Sequence, residues 1–245
     1  MEEIAKLKIE HRISVIILLA LFASACGYRQ GELNGEIFIV TKGGENIRLG
    51  LVTVQAISED KMKEYITKKI SESKYNIDRL GIDIDKSKEE YHIAEKDEIL
   101  SEDEYKRRFR LWTKNVSSKQ GKKYYQEAYN IYKEKRDKSL DKKNKFYSLQ
   151  KTRIYYKSAG YYFNGLPESV ATGKTGADGR FSIPIQRNKR VALAAHASRQ
   201  VFDHKEEYYW LLWVSLDGES SKKIFLSNDN MTDVGAKDSV ITTKY

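Results

Sequence analysis

The strongest candidates for acid–base or metal chemistry are His196, Asp203, His204 and Glu206, close together near the C-terminal end. An imidazole titrates near neutrality and binds first-row metals, and a neighbouring carboxylate can orient it. The spacing argues against such a use: there is no HExxH pattern, and His196 falls within an apolar run, where a satisfied core or edge histidine is expected. No Gly-x-Ser-x-Gly nucleophile motif occurs. Gly173-Lys174-Thr175 has the ending of a phosphate loop, but Glu168 stands where its first glycine belongs. Asp83, Asp85, Ser87 and Glu90 are spaced like calcium ligands, yet Lys88 occupies the obligatory glycine position and the run lies in a helical pattern. Asn228, Asp229, Asn230 and Asp233 form a second oxygen-rich group, which turn chemistry explains. The expectation is a chain with no catalytic residues, no metal and no cofactor.

Aromatic chemistry is better represented. The chain has 17 tyrosines. Trp112, Tyr124, Tyr125, Tyr129 and Tyr132, interleaved with Lys122, Lys123 and Lys133, are candidate partner-binding residues, since rings stack on sugars and hold cations near anionic groups. The competing reading packs these rings into a helix seam with their hydroxyls at its rim.

The first residues bear on location. Residues 13–25 carry no charge and follow Lys6, Lys8 and Arg12. That run is shorter than the roughly 20 apolar residues needed to span a bilayer, and fits the apolar region of a signal peptide. It ends in Ala23-Ser24-Ala25-Cys26, which resembles the lipobox of bacterial lipoproteins, although Glu2, Glu3 and Glu10 dilute the positive charge ahead of it. The resemblance implies cleavage before Cys26 and lipidation of that cysteine, giving a signal peptide over 1–25 and a linker over 26–34. Gly27 in place of Asp implies the outer membrane, with the protein facing the periplasm. Several acyl chains give stable anchoring. Cys26 is the only cysteine, so no intrachain disulfide is possible.

The charge of +9 and pI near 9.3 suit an anionic polymer or lipid surface. An exported chain without a recognition motif is not expected to bind nucleic acid.

The elements fall into three blocks. Residues 36–41 read as a strand, 42–46 as a glycine-rich turn, and 47–57 as a second strand. From 58 to 159 the composition turns to Lys, Glu, Asp and Tyr. Met62, Ile66, Ile70, Ile77, Leu80, Ile84 and Tyr91, with Ser73 and Ser87, form a heptad-like stripe. Ser101-Glu102-Asp103-Glu104 reads as a capping box opening a second helix through Tyr105, Phe109, Trp112 and Val116. Tyr124, Ala128, Ile131, Phe146, Leu149 and Ile154 continue it after Gly121, which predicts a helical hairpin or small bundle. From 160 onward strands return, at 171–175, 180–185, 190–199, 208–216 and 222–226. Asp178-Gly179 predicts a hairpin between the first two.

Gly35-Glu36-Ile37-Phe38-Ile39-Val40 together with Thr175-Gly176-Ala177-Asp178-Gly179-Arg180-Phe181 resembles carboxypeptidase regulatory-like domains, whose Thr-x-x-Asp-Gly-x-Phe turn is matched by Thr175, Asp178, Gly179 and Phe181. The resemblance implies a β-sandwich, and with the helical insertion, which departs from the family's pattern, the expectation is an α+β chain. Its core is an antiparallel, transthyretin-like β-sandwich of about seven strands over 35–57 and 160–245, interrupted by the charged helical insertion over 58–159. Such domains serve as binding or structural modules. The expected function is a membrane-anchored envelope lipoprotein acting as a binding or assembly module for an envelope protein or glycan. A purely structural spacer, and a hydrolase of envelope polymers using His196 or His204, are the alternatives.

Overall fold

A computed structural model describes residues 30–114, 119–232 and 240–241. The segment expected as a signal peptide, Cys26, Val116 and Asp233 lie outside these residues. The chain is α+β and divides into two compact units, one comprising residues 1–65 and 166–245 and the other residues 66–165.

Among the described residues the β unit contains eight strands: β1 (Gln30–Val40), β2 (Asn46–Arg48), β3 (Thr53–Ser58), β4 (Ala171–Lys174), β5 (Arg180–Gln186), β6 (Val191–Val201), β7 (His204–Val214) and β8 (Ser221–Leu226). They form two four-stranded sheets. In the first, β1 runs antiparallel to β5 and β2 and parallel to β8. In the second, β4, β3, β6 and β7 follow one another with every pair antiparallel. The parallel β1–β8 pair departs from the all-antiparallel expectation. β1 also begins five residues earlier than residue 35, inside the stretch expected as linker.

Alternation builds the core. Phe181, Ile183 and Ile185 of β5 point inward while Arg180, Ser182 and Pro184 face out. They join Leu33 and Ile37 of β1, Val54 of β3, Leu193 of β6, and Trp210 and Leu212 of β7 in one buried cluster shared by both sheets. Burying each such side chain is worth roughly 1.5–3 kcal/mol. The indole N–H of Trp210 keeps a partner, donating to the Ser227 carbonyl at 2.9 Å. The stretch 208–216 is apolar on both faces, as its pattern predicts: Leu211, on the outer face, is fully buried. Thr232 and Val240 lie beside it, their amides donating to the Tyr209 and Leu211 carbonyls.

The expected hairpin of β1 with the start of the second strand forms around residues 41–45, but one expected strand and one expected hairpin contain corners between sheets. The run 47–57 breaks at Leu51, whose φ of 61° turns the chain from β2 in one sheet to β3 in the other. Likewise β4 and β5 leave the Asp178-Gly179 turn for opposite sheets. Gly179 does take the positive φ (75°) that the motif requires. Thr175 explains how both corners hold. Its hydroxyl, 2 % exposed, accepts from the Val52 amide at 2.8 Å and donates to the Leu49 carbonyl at 2.9 Å. Its own amide donates to the Val52 carbonyl at 2.9 Å. One threonine thus satisfies the backbone of the facing corner, where no ladder partner is available.

The helical unit follows β3. Helix α1 (Glu59–Lys114) is continuous for 56 residues, α2 (Lys119–Lys157) for 39, and α3 (Ala159–Phe163) is a short turn where strand had been expected from residue 160. There is no second helix start at Ser101. That serine lies inside α1, its hydroxyl donating to the Glu98 carbonyl at 2.7 Å. Gly81 produces no break, because a helical glycine only lowers stability by roughly 1 kcal/mol relative to alanine.

Within this unit α1 and α2 pair as an antiparallel hairpin. The Ser73 hydroxyl donates to the Tyr156 carbonyl at 2.9 Å, Glu90 meets Lys142 at 2.7 Å, and Asp97 meets Lys135 at 3.1 Å, so each step forward on α1 is a step back on α2. The α1 seam repeats every seven residues through Ile66, Ser73, Leu80, Ser87 and Ala94, with Ile77 and Ile84 between them, all buried. Small residues at alternate layers, with Ala128 and Ser139 on α2, make room for the facing large ones. Acids at Asp83, Glu90, Asp97 and Glu104 also recur every seventh position beside the seam, and two of them hold α2 lysines. That pattern selects the antiparallel register.

Candidate binding surface

The distal part of the hairpin, where α1 ends and α2 begins, gathers the aromatic residues. Tyr105 on α1 is the hub, with ring centroids 5.5 Å from Tyr125, 5.5 Å from Tyr129 and 5.7 Å from Tyr132, the last nearly parallel at 7°. Phe109 packs 5.3 Å from Tyr125 and 5.9 Å from Trp112. Trp112 in turn stacks on Tyr125 at 5.3 Å and 9°. Such ring pairs contribute roughly 0.5–1.5 kcal/mol each beyond the area they bury. The crowding shows in Tyr105, whose hydroxyl is pushed above the usual phenol range by its hydrogen bond to Tyr125, by burial and by the neighbouring phenols.

Of the five candidate residues, Trp112, Tyr125, Tyr129 and Tyr132 therefore meet in one ladder that closes the seam, with Tyr129 at its rim. Tyr124 stands apart: it is 53 % exposed, with the Arg108 guanidinium 5.9 Å from its ring. The seam of α2 runs through Tyr125, Ala128, Tyr132 and Ser139, so the expected seam positions Tyr124, Ile131 and Ile154 instead face solvent.

Cations surround this ladder in greater number than the Lys122, Lys123 and Lys133 that the sequence pattern singles out. α2 holds thirteen Lys and Arg against four Asp and Glu, a net charge of +9, whereas α1 has fourteen against fifteen. The whole positive balance of the chain thus equals that of one helix. Between Glu104 and Glu127 there is no carboxylate and there are eight cations: Lys106, Arg107, Arg108, Arg110, Lys114, Lys119, Lys122 and Lys123. Glu102 takes Lys106 at 2.8 Å, and Glu104 takes Arg107 at 2.7 Å and Arg108 at 2.6 Å. These two guanidinium groups hold the Glu104 carboxyl at about 2. Arg110, Lys114, Lys119, Lys122 and Lys123 meet no carboxylate among the described residues and are all exposed. Phe109, Leu111 and Tyr124 are exposed among them.

The histidines do not assemble a site. His196 pairs across the ladder with Tyr209, and His204 lies five positions earlier on β7, so the two point to opposite faces of the sheet. His196 stacks on Tyr209 at 4.5 Å and bonds Glu207 through Nε2. It is exposed, not buried in the core. His204 lies 3.5 Å from Asp203 and 3.9 Å from Glu206, but Glu206 is already engaged by Arg199 at 3.1 Å and by the Tyr208 hydroxyl. Among the described residues no group of three or more His, Cys, Asp or Glu is placed to hold a metal. Asp83, Asp85, Ser87 and Glu90 lie within α1, with Ser87 turned into the seam. In the second oxygen-rich group, Asn228 bonds both the amide and the carbonyl of Val40, at 2.7 and 3.2 Å, and Asn230 caps the turn that starts at Ser227.

A cleft of about 400 Å³ in the β unit lies between the start of α1 and the β5–β6 turn, lined by Gln30, Ser58, Glu59, Asp60, Pro184 and Arg190. Two of its charged groups pair: Glu59 meets Arg190 at 3.8 Å and also Lys63 at 2.8 Å. Among the described residues no helix is long and apolar enough to cross a membrane. Comparison of the chain with protein-family models, with curated proteins and with solved structures finds no match.

Proposed function

We propose that this protein is a lipid-anchored, non-catalytic binding module of the bacterial cell envelope. Cys26 carries the lipid, the β-sandwich is the scaffold, and the distal end of the helical hairpin is the surface that meets a partner. One observation carries the choice of surface: five exposed cations that meet no carboxylate among the described residues, interspersed with exposed Phe109, Leu111 and Tyr124, stand at the end of a hairpin whose own seam is already filled. The placement of His196 and His204 on opposite sheet faces supports the non-catalytic reading over a hydrolase. The geometry of Thr175, Gly179 and Phe181 supports the kinship with carboxypeptidase regulatory-like sandwiches, because each motif residue has a structural duty at the corner between sheets. The spacer reading has support in the aromatic ladder, which knits the two helices together.

Two measurements test the proposal. Cys26→Ala should leave the lipidated membrane fraction, and its retention there would remove the anchor. Photo-crosslinking from position 122 in native envelopes should capture a partner, while the same label at exposed Asp78, away from the distal end, should not. Equal capture from both positions refutes the assignment of the surface.

A further inference from the structure

We infer that the distal end of the hairpin docks on an anionic phospholipid bilayer. The inference rests on the assignment of that end as the partner surface and is independent of the lipid on Cys26. Charge complementarity is the first argument. Arg110, Lys114, Lys119, Lys122 and Lys123 project from the last turn of α1 and the first turns of α2 without a carboxylate partner, and the flanking acids Glu102 and Glu104 are occupied by Lys106, Arg107 and Arg108. A polyanion of any kind would satisfy five cations. The apolar residues decide between the sources.

Leu111 and Tyr124 are more than half exposed and Phe109 is 39 % exposed, with Trp112 half-buried beside them. Aromatic rings and a leucine held among lysines suit the headgroup–acyl boundary of a bilayer, where rings and aliphatic groups enter and cations stay at phosphate level. A nucleic acid would instead use a run of free rings as stacking platforms, whereas Trp112 and Tyr125 are already stacked on each other and Tyr124 alone of these rings is more than half exposed. Leucine adds nothing to a sugar or phosphate contact. The occupant that uses every exposed group is therefore the surface of an anionic membrane. Phosphate attraction brings the end in, and a few apolar groups fix its depth.

The test uses the mature chain from residue 26 carrying Cys26→Ser, so that neither the apolar leader nor an acyl chain contributes, in co-sedimentation with vesicles. The protein should bind mixed phosphatidylglycerol–phosphatidylcholine vesicles, ignore pure phosphatidylcholine, and be released near 1 M salt, where the screening length is about 3 Å. Each cation near such a surface is worth roughly a fivefold change in partitioning, so replacing all five with glutamine should weaken binding at least a hundredfold. Leu111→Ser with Tyr124→Ser should weaken it about tenfold and leave the salt dependence intact. All seven positions are exposed, and an unchanged helical dichroism spectrum verifies the fold. Equal binding to neutral vesicles overturns the inference, as does full binding by the five-glutamine variant. Tighter binding to an acidic polysaccharide or single-stranded oligonucleotide, insensitive to Leu111→Ser and Tyr124→Ser, also overturns it in favour of a soluble polyanion. If vesicles fail while position 122 still crosslinks to an envelope protein, the membrane inference falls alone and the hairpin remains the partner surface.

Discussion

Replacing Thr175 with valine keeps the side chain's shape and removes one oxygen, so it isolates the hydroxyl that joins the two corners of the sandwich. The Val52 amide and the Leu49 carbonyl would both lose their partner in a site that is 2 % exposed. Each stranded backbone group costs roughly 1–3 kcal/mol, and the added methyl returns roughly 0.8 kcal/mol of apolar burial. The Thr175 amide and carbonyl bonds to Val52 and Leu51 survive the change, which limits the damage. The net loss is therefore about 2–4 kcal/mol, a large share of a domain's stability. Urea unfolding followed by tryptophan fluorescence reports it, because fully buried Trp210 belongs to the same core. With a slope of roughly 2 kcal/mol per molar urea, the midpoint should fall by about 1–2 M. Thr175→Ser retains the oxygen and should lose about 1 kcal/mol or less, for the missing methyl. The reasoning is refuted if Thr175→Val unfolds within about 0.5 kcal/mol of the parent. It is equally refuted if serine proves as damaging as valine, since packing rather than hydrogen bonding would then be at work.

Other outcomes follow from the same contacts. Gly35→Ala should destabilise the sandwich by about 1–3 kcal/mol, since the new Cβ would lie 2.3 Å from the Phe181 ring and 2.9 Å from the Ile224 carbonyl; a shift in the same urea midpoint measures it. Lys142→Glu should lower the thermal midpoint of the helical dichroism signal by opposing Glu90, at a cost of about 1 kcal/mol, and the double exchange with Glu90→Lys should restore most of it. Glu104 ionises more readily in the folded chain, so its support is complete above its ordinary value of 4.5 and is lost as the pH falls toward 2. Helical melts across that window should show falling stability, with a shallower slope in Glu104→Gln.

The sequence made some elements legible because one physical signal dominated each. The α1 stripe from Ile66 to Tyr91 could be read from its spacing, and the inward alternation of Phe181, Ile183 and Ile185 from its period of two. Where two signals coincide, reading fails. Ser101-Glu102-Asp103-Glu104 has the composition of a capping box, yet a small seam residue followed by surface acids has the same composition. The register of α2 slipped by one at Tyr124-Tyr125, where adjacent tyrosines offer equal apolar claims, and Lys135, Ser139 and Lys142 mark the true seam with polar residues. The break at Leu51 has no local signal at all: a leucine adopts a left-handed conformation because Thr175, far along the chain, secures the amides and carbonyls on either side. The cation cluster was available by counting. The absence of acid between Glu104 and Glu127 is a sequence fact whose meaning depends on knowing that those residues stand together.

The pairing of β3 with β4 has a consequence in time. Ala56 faces Ala171, so neighbouring strands of one sheet are separated by the entire helical insertion of about 110 residues. At a synthesis rate of roughly 5–20 residues per second, β3 emerges about 6–20 s before its partner exists. The helical hairpin, built from local contacts, can form in microseconds to milliseconds within that interval and draw its two ends together. It then presents β4 to β3 as though a short turn joined them, and removes most of the loop entropy that so long a separation would otherwise impose. β1 waits longest, because its parallel partner β8 is made after every other strand. The order of translation therefore makes the insertion the first part of this protein able to fold and the sandwich the last to close.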